Sequence, residues 1–339
     1  MRLRPFLALA VLIGAGALTV TAVGSPSALP PDRKAPTRTT SSHAPAVDIN
    51  PVFSPNGQNV AFVRAPTGDR GAIMLIRADG GGLHTVVSNV LVGRLGWSPD
   101  GSSLVYGAEA GLWIVEVASG EIRQLTGAGS EPSWAPDGST IAYSRWETGC
   151  DPAPKGSWLY CMGIWLVGAD GSSDHRVVLQ GRRPLFSPDG SMLALSWGPS
   201  LAVDLDGKDV LFERSKWVEN LADTAWSPHG VYVAYTARGL WLVNVMTKSV
   251  RRLTRFVDSK PSWSPDGKVI AATRSGDRLV ALVRVKDGKV FKRFPRSNGN
   301  RGFASWSPAG EVAFVHENSC GIDIANEDGT HRRRLTRAC

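Results

Sequence analysis

Seven times along the chain an aromatic residue is followed by a small residue, Pro, a variable residue and Gly. The copies are Phe53-Ser54-Pro55-Asn56-Gly57, Trp97-Ser98-Pro99-Asp100-Gly101, Trp134-Ala135-Pro136-Asp137-Gly138, Phe186-Ser187-Pro188-Asp189-Gly190, Trp226-Ser227-Pro228-His229-Gly230, Trp263-Ser264-Pro265-Asp266-Gly267 and Trp306-Ser307-Pro308-Ala309-Gly310. Successive prolines are 44, 37, 52, 40, 37 and 43 residues apart. A unit of that size cannot bury its own apolar face, so a chain built from it must stack its units on one another.

The residues around each copy say which units these are. Ser, Pro, Asp and Gly in succession suit a type I turn closed by a left-handed Gly, the geometry of a bulged hairpin. A short strand ends in the aromatic, and an apolar run follows the turn, as in Val60-Ala61-Phe62-Val63 and Ile141-Ala142-Tyr143. A third strand, such as Gly111-Leu112-Trp113-Ile114-Val115-Glu116-Val117, leads to a tight turn, Asp-Gly in most units. A fourth ends in Gln124-Leu125-Thr126, Arg252-Leu253-Thr254 or Arg334-Leu335-Thr336. Four strands joined by three connections, repeated at about forty residues, describe the blades of an all-β propeller. Seven antiparallel blades are expected. Six full blades plus a remnant is the alternative, should the first copy lend strands to a closing blade. The aromatic that recurs once per unit reads as a packing position between blades.

These residues resemble the TolB-type, WD-like propeller repeat, in which P-x-W-S-P-D-G-x-x-I-A-F begins a blade and D-x-D-G-x-x-x-x-L-T ends it. The resemblance covers residues 46–339. Departures are confined to turn chemistry: Ala135 stands for Ser, His229 and Ala309 for Asp, and Ser119-Gly120 and Thr247-Lys248 for Asp-Gly. TolB itself carries a mixed α/β domain before six blades. Seven repeats and no room for that domain make the likeness one of repeat rather than of whole protein.

Residues 1–24 read as an export signal, with Arg2 and Arg4 before an apolar core from Phe6 to Val23 and small residues ahead of Ser25. Cleavage is the expectation, and retention as a signal-anchor is the alternative. Residues 25–45, rich in Pro, Ser and Thr, read as a flexible linker. The protein is therefore expected to be exported: secreted, periplasmic or attached to the outer side of the cytoplasmic membrane. Any membrane contact would run through an uncleaved N-terminal segment.

The formal charge of +8 shrinks to +4 over residues 46–339, which hold 33 basic and 29 acidic residues. No basic block is interleaved with aromatics, so nucleic acid is not an expected partner. The cluster His331-Arg332-Arg333-Arg334 reads as a charged outer edge that resists edge-to-edge pairing. Four cysteines in an exported chain suggest disulfides, and three pairings are open. The shortest loops join Cys150 with Cys161 and Cys320 with Cys339.

The 52-residue step comes from an insertion between the second and third strands of blade three, Trp146 to Cys161. A long loop on a rigid scaffold is a common location for binding, and Trp146, Trp158 and Tyr160 are aromatic types that anchor partners. The equal alternative is a loop whose aromatics fold onto their own blade.

No Gly-x-Ser-x-Gly nucleophile elbow, His-Glu-x-x-His pair or phosphate-cradling Gly-rich loop occurs in the sequence. The expected function is thus a non-catalytic, monomeric propeller that binds a protein or polymer of the cell envelope. The alternative is a propeller enzyme, a lactonase-like hydrolase or a lyase, whose metal site converges from several blades on the central channel. No cofactor is expected; a channel-bound calcium ion is the one left open.

Overall fold

The computed structural model describes residues 46–65, 70–91, 93–146, 162–197, 200–212, 223–255, 259–274, 279–295, 304–315 and 321–337. Within them, 28 strands form seven antiparallel four-stranded sheets, each built from strands consecutive in the chain. The first strands of the blades are Val47–Phe53, Leu95–Trp97, Ser130–Trp134, Leu185–Phe186, Thr224–Trp226, Ser259–Trp263 and Ser305–Trp306. Each touches the first strand of the next blade, and the seventh touches the first, so these strands form the inner wall of a closed ring. The structure is a seven-bladed β-propeller, and the six-blade alternative is excluded.

The core is not one cluster but seven, each shared by two adjacent blades. Val63, Ile73 and Leu75 of blade one meet Trp97, Leu104 and Tyr106 of blade two. The last of the seven joins Phe53, Phe62 and Ile76 to Ala313, Ile322 and Ile324 of blade seven. Second strands are covered on both faces by neighbouring blades, so they read as continuous apolar runs; Val60, Ala61, Phe62 and Val63 are all fully buried. Outer strands such as Ile122–Gln124 and Arg333–Arg334 are exposed.

Each feature of the repeated motif has a measurable duty. In all seven copies the Gly N–H donates to the carbonyl of the residue three before it, at 2.8–3.0 Å, closing the expected turn. Every one of these glycines has a φ between 70° and 83°, which an L side chain adopts only with strain. Where the first residue is Ser, its hydroxyl accepts the N–H that opens the second strand, as Ser98 does from Ser103 and Ser264 from Val269, each at 2.9 Å. The turns pack in a ring: a Cβ added at Gly101 would lie 3.5 Å from Pro55, and one at Gly57 would lie 3.1 Å from Pro308 of the last blade.

The motif aromatic is the inter-blade packing residue anticipated from its period. Four of the tryptophans also donate Nε1–H to the preceding blade's inner strand, always at the position three before that blade's motif proline. Trp97 reaches Val52 O at 3.1 Å, Trp226 reaches Leu185 O at 2.9 Å, Trp263 reaches Ala225 O at 3.2 Å and Trp306 reaches Ser262 O at 3.0 Å. Phe cannot make this bond. In the two Phe blades the contact runs the other way, with the Phe53 and Phe186 backbone N–H donating to Ser305 and Ser133 Oγ.

Candidate binding face at the channel mouth

In blades one to six the residue five before the motif proline lies in an inner strand or just ahead of it: Asn50, Arg94, Glu131, Arg183, Asp223 and Lys260. Six polar residues thus share one register of the inner wall. Four of them, Asn50, Glu131, Arg183 and Lys260, have positive φ values of 51–57°. Each of those four precedes a proline: Pro51, Pro132, Pro184 and Pro261. Proline has no N–H for the ladder, so the strand bulges there. In blades one, three and six, pairing with the second strand slips by one residue at this position.

Side chains from these starts meet across the ring. Asp223 of blade five lies 2.9 Å from Arg183 of blade four and 3.7 Å from Arg94 of blade two. Blades two and five are not neighbours, so this contact spans the channel. Asp223 also accepts the backbone N–H of Lys260 at 3.2 Å. Glu131 of blade three is held by Arg183 at 2.8 Å and by Arg182 at 3.1 Å. The Asn50 amide donates to Gly93 O at 3.2 Å, tying blade one to the same network. The result is a polar lattice over blades two to five, of three guanidinium groups and two carboxylates, with Lys260 of blade six at the same register.

Burial sets the electrostatics. It pushes Arg94 below the ordinary guanidinium pKa, against the raising pull of Asp223. Burial acts on Arg183 in the same sense, but Glu131 and Asp223 outweigh it and hold that group above its ordinary value. For Glu131, burial alone would raise the carboxyl, and Arg182, Arg183 and Arg94 together hold it below the usual range. Three buried atoms of this region, Asn50 Oδ1, Glu131 Oε2 and Arg182 Nε, have no hydrogen-bond partner among the described residues. Buried polar atoms rarely stay unpaired, and ordered water or a bound group is their natural complement.

Topology fixes what else shares this end. Each first strand runs from the mouth to the Ser-Pro turn and the second strand returns, so every second-to-third connection emerges at the mouth. The insertion of blade three therefore leaves from this face. Its first residue, Trp146, ends the second strand opposite Met162 and is 54% exposed. Trp158, Tyr160 and the four cysteines, Cys150, Cys161, Cys320 and Cys339, lie outside the described residues, as do residues 1–45.

Among the described residues no group of three or more His, Cys, Asp or Glu is placed to hold a metal ion. The two carboxylates of the mouth, Glu131 and Asp223, come from different blades and are engaged by arginines, a donor set that does not fit calcium. The basic cluster of the last strand has a larger role than edge protection. Arg333 pairs with Glu311 at 2.7 Å and donates to Ala78 O of blade one at 3.0 Å, and Arg332 pairs with Asp323 at 2.7 Å.

No known family profile matches the chain. An uncharacterised WD repeat-containing protein of Synechocystis sp. is 27% identical over 135 residues, 37% of this chain and 38% of that protein. An uncharacterised protein of Agrobacterium fabrum is 26% identical over 208 residues, 54% of this chain and 67% of that protein. Among solved structures, an oligogalacturonate lyase in complex with manganese superposes with a TM-score of 0.62 at 16% identity, covering 79% of this chain and 86% of the lyase. The β-propeller domain of Cps50 (Swd1) from Myceliophteria thermophila gives 0.62 at 13% identity, covering 85% and 98%. The distant WD-repeat relative and the propeller neighbours agree with the seven-bladed, WD-like architecture. Propellers of this shape include an enzyme, so fold alone does not decide between catalysis and binding.

The channel-mouth residues were not singled out by motif search, which follows turns and tryptophans. A usable signal existed. Aligning the seven copies on their prolines places a polar residue at one position of six inner strands, four times directly before a second proline.

Proposed function

We propose that the protein is an exported, non-catalytic binding module of the cell envelope, which engages a partner with the channel-mouth face. The observation that carries this reading is the lattice of Arg94, Arg182, Arg183, Glu131 and Asp223, drawn from four blades, with polar atoms left unpaired among the described residues. The exposed Trp146 at the same end supplies an apolar contact, and Trp158 and Tyr160 of the insertion that follows it in sequence are assigned the same anchoring role. Large aromatics beside arginines are the residue types that dominate interface energies. Export places the partner, a protein or polymer, outside the cytoplasm. The signal ends before Ser25, so mass analysis of the mature protein should find a chain beginning at or near that residue.

The test is capture from envelope extract by the immobilised protein. The variant carrying Trp146→Ala, Trp158→Ala and Tyr160→Ala should lose capture while its thermal melt stays within a few degrees of the parent. Intact capture by a destabilised variant would show instead that these aromatics pack the blade and that the face lies elsewhere.

A further inference from the structure

Charge is spread unevenly around the ring. The described residues of blades five and six hold 13 Lys and Arg against three Asp and Glu; those of blades one to four hold 10 against 14, and those of blade seven four against four. Much of the excess lies on the outer rim. Lys248, Arg251, Arg252, Lys286, Lys289 and Arg293 are exposed, and none of them pairs with a carboxylate among the described residues. Protection of strand edges does not account for this, because it would be needed on every outer strand. His84–Leu91 of blade one has no Lys or Arg, and Asp209–Phe212 of blade four has an Asp and no cation.

A second observation falls at the same place. The hairpin from third to fourth strand lies at the turn end of each blade. In six blades its tip is Asp or Ser followed by a Gly of positive φ, from Gly80 to Gly329. Blade five alone has Met246-Thr247-Lys248, and Lys248 takes the left-handed position with φ 59°. The residue that suits the turn is thus replaced by a strained cation, and the acid by a neutral side chain. Met246 is 82% exposed, and no large apolar side chain among the described residues is more so. Val231, whose carbonyl accepts the Val245 N–H, and Val250 of the same hairpin are 42% and 46% exposed. Arg251 donates to Val285 O at 2.8 Å and Lys286 O at 3.2 Å, which sets the hairpins of blades five and six side by side.

We propose that this rim docks on the surface of an anionic phospholipid bilayer, with Met246 entering the interfacial layer and the surrounding cations meeting headgroup phosphates. Cations around an exposed apolar tip are the composition that such a surface selects. A soluble acidic polymer would use the cations and leave Met246, Val231 and Val250 in water. The docked end lies opposite the mouth, so the inference does not rest on the mouth's role. It is also a contact separate from any made by residues 1–24.

Hydrogen–deuterium exchange on the full chain tests it, with vesicles of phosphatidylglycerol and phosphatidylcholine in equal parts and of phosphatidylcholine alone. An apolar N-terminal segment enters both alike, so the difference between them reports the rim. Amides of residues 244–252 and 284–293 should exchange about tenfold more slowly on the anionic vesicles only, and high salt should remove the difference. The double variant Lys286→Gln, Lys289→Gln should raise the lipid concentration for half-protection roughly thirtyfold, the effect of two surface cations. Met246→Ser should raise it severalfold. Both variants should melt with the parent. Inorganic polyphosphate, which offers the phosphates without a bilayer, should protect less than the vesicles. The proposal is overturned by equal or absent protection on the two vesicles. It is overturned as well by polyphosphate protection that matches the vesicles and ignores Met246→Ser, which would assign the rim to a soluble polyanion.

Discussion

At the scale of single residues, the repeat is held by a few bonds made seven times. Trp226 illustrates how packing and polarity divide: its ring is buried and its Nε1–H reaches Leu185 O. Trp226→Phe keeps most of the ring contact and loses the bond, a cost of about 1 kcal/mol. Trp226→Ala opens a cavity between blades four and five and should cost about 3–5 kcal/mol. Urea unfolding of the two variants would separate the contributions. Glu131 makes a different prediction. Its folded-state pKa lies below the ordinary carboxylate value because the surrounding arginines outweigh burial. The stability it contributes is therefore present at neutral pH and is lost as pH falls from the ordinary carboxylate pKa through the depressed one. Thermal melts taken between about pH 6 and 2.5 should fall less steeply in Glu131→Gln than in the parent, as expected for a carboxylate of ordinary pKa near 4.3. Parallel curves would show that this carboxylate is not perturbed.

At the scale of strands and loops, what was legible depended on whether a residue's duty repeats. The turns were readable because Ser98, Pro99, Asp100 and Gly101 satisfy local rules, and their seven copies confirm one another. The second strands were readable as apolar runs because blades cover them on both faces. The channel mouth escaped notice because its residues share a register but not a chemistry: an amide, two carboxylates and three cations occupy one position. Contacts such as that of Arg94 with Asp223 join residues 129 positions apart, and no local pattern announces them. The insertion was legible as an excess of length, and the exposure of Trp146 adds that its first residue faces outward. Its shape is expected to depend on Cys150 and Cys161. Closing so short a loop contributes roughly 3 kcal/mol in the chain-entropy model, as does Cys320 with Cys339. Peptide mapping without reductant should recover both linked pairs, and free thiols would contradict the pairing.

At the scale of the whole molecule, the ring closes without a strand shared between its ends, since all four strands of blade seven are consecutive in the chain. Closure rests on the apolar cluster of Phe53, Phe62 and Ile324 and on a polar clasp. The clasp is Asp48, fully buried, which binds Arg64 through both oxygens at 2.7 and 2.8 Å and accepts the Thr336 hydroxyl at 2.5 Å. Asp48→Asn weakens both attachments and should cost about 2 kcal/mol, read from the denaturation midpoint, whereas a neutral result would show that this clasp does not contribute to closure. A closed, rigid ring is what allows side chains from blades two to five to hold one another across an axis, and the binding role assigned to the mouth depends on it. The most direct test of that role is hydrogen–deuterium exchange on the full chain with and without the captured envelope partner. Protection should concentrate at the strand starts around Arg94, Glu131, Arg183 and Asp223 and in the insertion after Trp146. Protection confined to the opposite end, at the turns around Gly57, Gly101 and Gly267, would contradict it.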